Sequence, residues 1–592
     1  MIHLKDHKYI RIGISADASE LTEYAARELR DYLCLITGER LKVCRFSDVP
    51  QKGEIRVMLS TEGYEKRGFD RVRIFEADGV LVLQGENEIS VLYAVYDFLQ
   101  EFCDVRFFAP GKEFEYVPTT SKLAIDDARL PFEKGSAFEI RDFVNRTNSH
   151  DVFSFAVKNR INSILGCGPW VNGSDKCSEV NAALIHSFGL KVRGPGHSWK
   201  HFVPQDNLFD EHPEYFPLLN GKRTPTGRTA CFSNPEVQRI FMENLRNYLR
   251  RHPYWDIFAF WAEDTGDSHY CECENCRRMS TTDWYFTIAN LAAEVVAEEI
   301  PEAVFEVIAY QGTLEPPKAV RSLRGGGRNM LINCCINQMR DLFHPYANRT
   351  YTNAGLMDIF NNWQAWMRES QYCGKFMMME YYNLCEYPDT GPCGRSLLWP
   401  LEVMQQDAMF YLSQGVNAMG AFTGFDRLAF PTPLRLWAWI RLWSNPELDL
   451  ASLKDDFYSH YFGRDARRIR LFSERMEALM LQAASHANIA DLEALESQLI
   501  PDNGFREDVL LCHLRFAVIV KKTHLAYLEG ERQHFEAFKS EYLRFQSRYS
   551  RLLSQAVAPF PFLWYDYQFF RLRWQKDGSR KELIPGTEEM LK

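Results

Sequence analysis

Two adjacent carboxylates, Glu263 and Asp264, end an apolar run that extends from Ile257 to Ala262. Such a run is typical of a buried strand, and a strand that ends in acidic residues carries them into a cleft. Paired carboxylates can divide acid and base roles once their surroundings separate their pKa values. We therefore expect chemistry at this pair, although an acidic surface loop is the alternative. Because adjacent strand residues point to opposite sides, either member could face the cleft.

A third carboxylate, Glu380, ends a second apolar run that begins at Phe376. We expect it to project from the same edge as Glu263 and Asp264 and to face them across the cleft. Cleavage of a glycosidic bond requires two such groups, because one protonates the leaving oxygen while the other activates water or attacks carbon. The alternative for Glu380 is a buried ion pair with an arginine.

Aromatic and polar residues follow other apolar runs and are suited to holding a sugar. The stretch Gly194-Pro-Gly-His-Ser-Trp199 combines glycines, which let the backbone approach a ligand closely, with His197 as a partner for a hydroxyl or a carboxylate. Trp170 and Trp199 are candidate stacking platforms, although packing under a lid is the alternative for each. The same predicted substrate-binding rim also contains Tyr310, Asn337, Tyr381 and Asp426.

Three cysteines, Cys271, Cys273 and Cys276, follow the carboxylate pair on a polar segment. A structural zinc site needs four ligands, and Cys231, on the loop before the helix that leads into the same strand, could supply the fourth. A closed four-cysteine site would hold two loops together and leave no open coordination position. We therefore expect a structural zinc ion and no cofactor in the reaction. Reduced thiols or a disulfide are the alternative.

The chain between residues 126 and 445 alternates apolar runs with amphipathic helices, which is the pattern of parallel strands with crossover helices. Eight such strands predict a (β/α)8 TIM barrel as the catalytic domain, and the run that ends at Glu263 is its fourth strand. The predicted strands are Phe138–Val144, Asn162–Gly168, Gly189–Gly194, Asp256–Glu263, Val304–Tyr310, Met330–Ile336, Lys375–Tyr381 and Val416–Thr423.

The segments on either side of the barrel have different patterns. Residues 1–125 contain helical periodicity and short strands, including a hairpin that turns at Asp78-Gly79, and predict an N-terminal α/β sandwich domain. Residues 446–592 are dominated by apolar residues at helical spacing and predict a C-terminal α-helical domain. The fold class is therefore α/β, with a TIM barrel between two smaller domains.

The composition and charge indicate which classes of binding partner to expect. The net charge is −10 and no basic run follows the spacing of phosphates, so we expect no nucleic-acid partner. No apolar segment is long enough to span a bilayer, and the amino terminus lacks the apolar core of a signal peptide, so we expect a cytoplasmic protein without a membrane partner. Aromatic residues make up 14% of the chain, which suits the stacking of sugar rings. The sequence is compatible with a homo-oligomer.

Several motifs resemble a bacterial family catalogued as domain of unknown function 4838. They are Gly196-His-Ser-Trp199, His212-Pro-Glu-Tyr-Phe216, Cys231-Phe-Ser-Asn-Pro235, Tyr270-Cys-Glu-Cys-Glu-Asn-Cys276 and Tyr461-Phe-Gly463. The predicted layout of sandwich, barrel and helical tail also resembles the family 67 α-glucuronidases, and the sandwich resembles that of the family 20 hexosaminidases.

These resemblances imply roles for the carboxylates. The family 67 layout implies that Glu263 or Asp264 donates the proton and that Glu380 acts as the base. Family 20 enzymes have Asp followed by Glu at the end of the fourth strand, whereas this chain has Glu followed by Asp, so it departs from the arrangement that uses the substrate's acetamido group. We therefore expect a glycoside hydrolase that cleaves a terminal sugar from an oligosaccharide or glycoconjugate. The alternative is a carbohydrate-binding barrel without catalytic activity.

Overall fold

The computed structural model describes most of the chain. It describes residues 2–3, 11–45, 53–60, 63–65, 67–120, 123–144, 149–165, 179–226, 228–264, 266, 269–336, 340–341, 343–350, 353–381, 398–422, 432–500 and 504–555. Within these residues, no helix is both long enough and apolar enough to cross a bilayer.

The N-terminal part consists of β1 (Ile2–His3), β2 (Arg11–Ile14), α1 (Glu20–Thr37), β3 (Lys42–Arg45), β4 (Glu54–Leu59), β5 (Phe69–Ala77), β6 (Val80–Gly85), α2 (Glu88–Phe102), β7 (Arg106–Phe107), β8 (Glu115–Tyr116), β9 (Ala124–Ile125) and β10 (Phe132–Ser136). Six of these strands form a mixed sheet covered by the two helices, with strand order β10-β5-β6-β4-β2-β3. The predicted hairpin is confirmed, because β5 and β6 pair antiparallel around Asp78 and Gly79, which both have positive φ. The sheet is completed by β10, which lies beyond residue 125.

The central part is a closed barrel of eight parallel strands, which confirms the predicted TIM barrel. Its strands are β11 (Ile140–Val144), β12 (Ser163–Leu165), β13 (Lys191–His197), β16 (Ile257–Trp261), β17 (Val304–Ala309), β18 (Met330–Cys334), β19 (Lys375–Glu380) and β20 (Ala418–Phe422), while β14 (Leu218–Leu219) and β15 (Lys222–Arg223) form a separate hairpin. The helices are α3 (His150–Lys158), α4 (Glu179–Ser187), α5 (Pro235–Arg251), α6 (Thr281–Glu299), α7 (Asn353–Glu369), α8 (Leu401–Ser413) and α9 (Leu434–Ser444).

One strand is longer than the sequence indicates. Glycine and proline usually interrupt strands, so Gly194-Pro-Gly predicts a loop after the third strand. In the structure β13 continues through these residues to His197, and Pro195 pairs with Ala259 of β16. His197 therefore lies on the end of a strand, which fixes its position more firmly than a loop would.

The described residues of the C-terminal part, 446–500 and 504–555, are mostly helical, as predicted, with α10 (Leu450–Phe462), α11 (Ala466–Leu481), α12 (His486–Ala494), α13 (Phe505–Leu528) and α14 (Arg532–Gln555). The three parts pack on one another. The ring of Phe108, from the N-terminal part, lies 5.1 Å from that of Trp437 in α9 and 5.2 Å from that of Phe457 in α10. Arg141 of β11 is completely buried and donates a hydrogen bond to Asp70 of the N-terminal sheet. Through these contacts the N-terminal part packs against the barrel and against the first helix of the C-terminal part.

Candidate active site

The interior of the barrel is layered, because alternate residues of each strand point inward. An apolar cluster fills the amino ends of the strands and contains Ile140, Ile257, Leu331, Met377 and Ala418. The layer above it is polar, and its charged members come from three alternate strands: Asp142 on β11, Arg193 on β13 and Glu306 on β17. The candidate active site lies above this polar layer, at the carboxyl ends of the strands.

Arg193 joins the two carboxylates of the polar layer. All three side chains are completely buried. The Arg193 guanidinium donates from Nη1 to Asp142 Oδ1 at 2.6 Å, from Nε to Glu306 Oε2 at 2.7 Å and from Nη2 to Glu306 Oε1 at 2.6 Å. Burial raises the pKa of Asp142, while the charge of Arg193 opposes that rise. Because an unpaired buried charge is costly, removal of Arg193 would leave both carboxylates unfavourably placed.

Glu306 also fixes the floor of the cleft. Its Oε1 accepts a hydrogen bond from Trp261 Nε1 at 2.7 Å and one from Asn333 Nδ2 at 2.9 Å. The Trp261 ring then lies edge-on to His197, with 5.2 Å between the ring centroids. The guanidinium carbon of Arg193 lies 5.4 Å from the centroid of the Trp261 ring, which is a cation–π distance. The buried charges therefore hold a tryptophan and a histidine of the cleft in fixed orientations.

Asp264 belongs to a group of polar side chains on the cleft side of the rim. Its Oδ1 accepts a hydrogen bond from Gln311 Nε2 at 2.6 Å, and the same nitrogen lies 3.2 Å from the hydroxyl of Tyr310. The Tyr310 ring is 5.6 Å from the His197 ring, measured between centroids. Gln311 has a φ of 44°, a left-handed conformation that is uncommon for residues other than glycine and that recurs at functional sites. The structure thus brings together Asp264, Tyr310 and His197.

His197 is fixed in its tautomer. Its Nδ1 is hydrogen-bonded to the carbonyl oxygen of Ala262, and a carbonyl can only accept, so Nδ1 carries the proton. Burial lowers the pKa of His197, and the charge of Asp264 acts in the opposite direction. The neutral ring therefore presents Nε2 as an acceptor, which suits a sugar hydroxyl.

Glu263 has different surroundings from its neighbour. Its Oε1 accepts the backbone N–H of Lys200, on the segment after β13, at 3.1 Å. Burial raises the pKa of Glu263, while the backbone hydrogen bond from Lys200 and the charge of Arg228 oppose the rise. Asp264, by contrast, is exposed. The two carboxylates therefore have different partners and different exposure at the strand end, and burial favours the protonated form at Glu263.

Glu380 does not join this group. The expectation that it faces Glu263 across the cleft is not met, because its side chain lies on the outer face of β19. It is completely buried, and its Oε1 accepts hydrogen bonds from Arg340 Nη1 at 2.9 Å and from the hydroxyl of Tyr411 in α8. Arg340 also binds Asp407 of α8, at 2.8 Å. Burial raises the pKa of Glu380. The side chain thus forms the buried ion pair that was the alternative interpretation.

Trp199 is also not placed as a stacking platform. Its ring is completely buried behind β16, where its centroid lies 5.1 Å from that of Phe232, 5.3 Å from that of Phe241 and 5.4 Å from that of Phe260. The large apolar ring fills the space between the strand and α5. It belongs to the core between strand and helix, and its contribution is to stability.

Of the remaining predicted rim residues, the structure describes only Tyr381. Tyr381 is mostly buried at the end of β19, and its hydroxyl lies 2.9 Å from the Sγ of Cys335. Its role as a substrate-binding residue stays a prediction. Trp170, Asn337 and Asp426 lie outside the described residues.

The sequence interpretation missed the residues of the polar layer. The available signal was a single charge inside an apolar run, as at Arg193 and Glu306. Such a charge must be paired when it is buried, so two of opposite sign on different strands suggest an interior ion pair.

The four cysteines form a cluster outside the barrel mouth. The Sγ atoms of Cys231, Cys271, Cys273 and Cys276 all lie within 4.8 Å of one another. The set that the sequence suggested is therefore brought together, and these four side chains could hold a structural metal ion.

Comparison with solved structures shows that this fold recurs in glycoside hydrolases. A family GH115 4-O-methyl-α-glucuronidase with specificity for decorated arabinogalactans has 10% sequence identity and a TM-score of 0.57, over 94% of this chain and 79% of that one. A family GH138 enzyme that targets pectin rhamnogalacturonan II has 10% identity and a TM-score of 0.52, over 95% and 79%. The family GH89 enzyme of Clostridium perfringens, in complex with GlcNAc-α-1,4-galactose, has 11% identity and a TM-score of 0.52, over 97% and 69%.

At this level of identity the likeness shows the fold alone. No curated protein matches the chain. The model of one family does match it, over residues 109–474, which include the whole barrel, α10 and the first half of α11. The motifs quoted from the sequence, the closed barrel and this match agree, and the chain belongs to the family described as domain of unknown function 4838 (DUF4838).

Proposed function

We propose that the protein is a glycoside hydrolase that removes a terminal sugar from an oligosaccharide or glycoconjugate. The observation that carries the proposal is the Glu263–Asp264 pair at the carboxyl end of the fourth barrel strand, with one carboxylate half-buried and the other exposed. Different environments are what allow two neighbouring carboxyl groups to have different protonation states at one pH. The likeness of the fold to three families of glycoside hydrolases supports the same class of reaction.

In this proposal Glu263 donates the proton to the leaving oxygen. A general acid must be protonated at the working pH, and burial raises the pKa of Glu263 in that direction. Asp264, which is exposed on the cleft side next to Gln311, stabilises the positive charge that develops on the sugar ring and takes the proton of the attacking water. His197 and Tyr310 bind hydroxyl groups of the sugar, and Trp261 forms the floor against which it rests.

Glu380 has no part in this mechanism. A base or nucleophile must reach the anomeric carbon or an attacking water, and the Glu380 carboxylate lies behind its strand in contact with Arg340 and Tyr411. Its role is to hold the barrel strand against α8.

The proposal is tested with Glu263→Gln. We expect the variant to lose about 100- to 10,000-fold in kcat/KM on natural glycosides, which is the usual contribution of a general acid. The loss should be much smaller on aryl glycosides whose leaving group is a weakly basic phenolate. Such a group departs as a stable anion and does not need a proton from the enzyme. The substrate panel includes α-linked glucuronides and α-linked N-acetylglucosaminides, since the structural relatives act on or bind sugars of these kinds.

A matched control is Glu236→Gln. Glu236 lies on the surface of α5, where it pairs with Arg239 at 2.7 Å and is 43% exposed, so the same chemical change there should leave turnover intact. Equal loss of activity on good and poor leaving groups in Glu263→Gln would contradict the proton-donor role. Full activity of both Glu263→Gln and Asp264→Asn would contradict the site itself.

One observation favours the alternative of a carbohydrate-binding barrel without activity. The partner carboxylate that was expected across the cleft, Glu380, is turned away from it. A binding protein would bind a glycan of the panel, in a calorimetric titration, with no release of sugar. Its affinity would fall on substitution of His197 or Tyr310, whereas Glu263→Gln would leave it unchanged.

A further inference from the structure

The four-cysteine cluster has the geometry of a metal site. The Sγ of Cys231 lies 3.6 Å from that of Cys273 and 3.9 Å from that of Cys276. Four sulfurs placed about 2.3 Å from a central zinc ion at the corners of a tetrahedron are about 3.8 Å apart. The observed separations therefore match the edge of such a tetrahedron.

Disulfides do not explain the arrangement. A disulfide brings two sulfurs to about 2.05 Å and places no constraint on a second pair. Here all four thiols are free, and each lies within 4.8 Å of the other three although they come from two separate segments of the chain. Mutual proximity of four sulfurs is what one shared central ion requires.

The surroundings of the cluster are suited to thiolates. The backbone N–H of Leu218 points to the Sγ of Cys271 at 3.3 Å, and Arg223 Nη1 lies 3.6 Å from the same sulfur. Both donors belong to the β14–β15 hairpin. Four thiolates around a divalent cation leave a net charge of two minus, and N–H donors and a guanidinium are the groups that stabilise it. Cys231 and Cys276 are themselves buried, so the centre is shielded from solvent on that side.

We propose that Cys231, Cys271, Cys273 and Cys276 bind one zinc ion in a closed, tetrahedral, purely structural site. Thiolate ligands favour zinc over magnesium or calcium, which prefer oxygen. With four protein ligands the ion has no open position for water or substrate, so it takes no direct part in catalysis.

The proposed zinc site would hold in place the segment that follows the candidate carboxylates Glu263 and Asp264. Asp264 leaves the barrel strand, and the chain reaches the first ligand, Cys271, seven residues later. There the Glu272 N–H binds the Leu218 carbonyl at 2.8 Å, which attaches the segment to the hairpin. At the other end of the cluster, Trp284 of α6 donates from Nε1 to the carbonyl of Cys276 at 2.8 Å. The ion would therefore hold the hairpin, the start of α5 and the start of α6 around one point.

The first test is the metal content of the purified, dialysed chain, measured by mass spectrometry without any substrate. We expect about one zinc ion per chain, because the site has one tetrahedral centre. Replacement by cobalt should give the intense visible absorption of tetrahedral thiolate coordination. Substoichiometric metal after supply of zinc during expression, with all four thiols open to alkylation, would overturn the proposal, as would a cobalt spectrum of octahedral type. The result does not depend on whether the protein hydrolyses glycosides.

The second test compares Cys273→Ser with Cys373→Ser. Cys373 is an exposed thiol of the barrel outside the cluster, so its replacement should leave one zinc ion bound. Cys273→Ser should lose the bound zinc, and limited proteolysis should then cut between residues 265 and 276. Unchanged zinc content in Cys273→Ser would refute the ligand set. If that variant does not accumulate as folded protein, the metal content and cobalt spectrum of the wild-type chain decide the question.

Discussion

Replacing Arg193 with methionine should destabilise the barrel strongly. The guanidinium is completely buried and donates three hydrogen bonds, of 2.6, 2.7 and 2.6 Å, to Asp142 and Glu306. Charged hydrogen bonds contribute about 1.5–3 kcal/mol each, and the cost of burying the guanidinium offsets part of their sum. Removal of one partner from a buried ion pair usually costs about 3–5 kcal/mol, because the remaining charge stays buried without its counter-ion. We expect a loss within that range.

Hydrogen exchange measures this loss locally, which matters because a chain of several domains does not unfold in one step. Amides of β13 and β17 should exchange about 150- to 5,000-fold faster in Arg193→Met, which is the same free energy expressed as a ratio. The matched control is Arg239→Met on α5, where the side chain is 60% exposed and pairs with Glu236 and Glu243. Exposed pairs contribute under about 1 kcal/mol, so exchange should barely change.

The destabilisation of Arg193→Met should also depend on pH. Burial raises the pKa of Asp142 even in the presence of Arg193, and loss of the cation raises it further. The folded variant then binds protons more tightly than the unfolded chain, so its stability increases as the pH falls through the raised pKa. The gap between variant and wild type should narrow at acid pH. A small effect at neutral pH, or a gap that widens on acidification, would refute the account of the polar layer.

Three further predictions concern single residues. Glu380→Gln should leave kcat/KM essentially unchanged in a steady-state assay, because its carboxylate lies behind the strand with Arg340, and loss of turnover would contradict that placement. The pH profile of kcat/KM should fall on the alkaline side at a pKa above the ordinary value for glutamic acid, since burial raises the pKa of Glu263, and the limb should vanish in Glu263→Gln. Trp199→Phe should lower the free energy of unfolding by about 1–3 kcal/mol in denaturant titration and leave KM unchanged, whereas a raised KM would indicate a sugar contact.

The barrel could be predicted from the sequence because its strands recur between helices and are bounded by polar residues. The orientation of each side chain could not. In β19 both faces are buried, one against the barrel interior and the other against helices, so the run Phe-Met-Met-Met shows no alternation of apolar and polar residues. A shift of one residue in the register of β19 would exchange its two faces. The register that the structure adopts places Tyr381 on the inner face and Glu380 on the outer face.

Two other differences also arise from contacts that sequence spacing does not reveal. Trp199 follows a strand in the sequence, as a rim residue would, but the space between β16 and α5 accepts its ring. The extension of β13 through Gly194 and Pro195 depends on its neighbour β16, which supplies the pairing partners. The cysteines were easier to group, because three of them lie within six residues and only one had to be found elsewhere.

The most direct test of the central claim is hydrolysis in water enriched with heavy oxygen, with mass spectrometry of any released sugar. A glycoside hydrolase incorporates oxygen from water at the anomeric carbon of the released sugar, while the leaving group keeps the glycosidic oxygen. We predict that the wild-type chain releases labelled product from at least one α-linked glycoside of the panel, and that Glu263→Gln does so far more slowly on natural leaving groups. Binding of a glycan without any labelled product from the wild-type chain would contradict the claim and favour the carbohydrate-binding barrel.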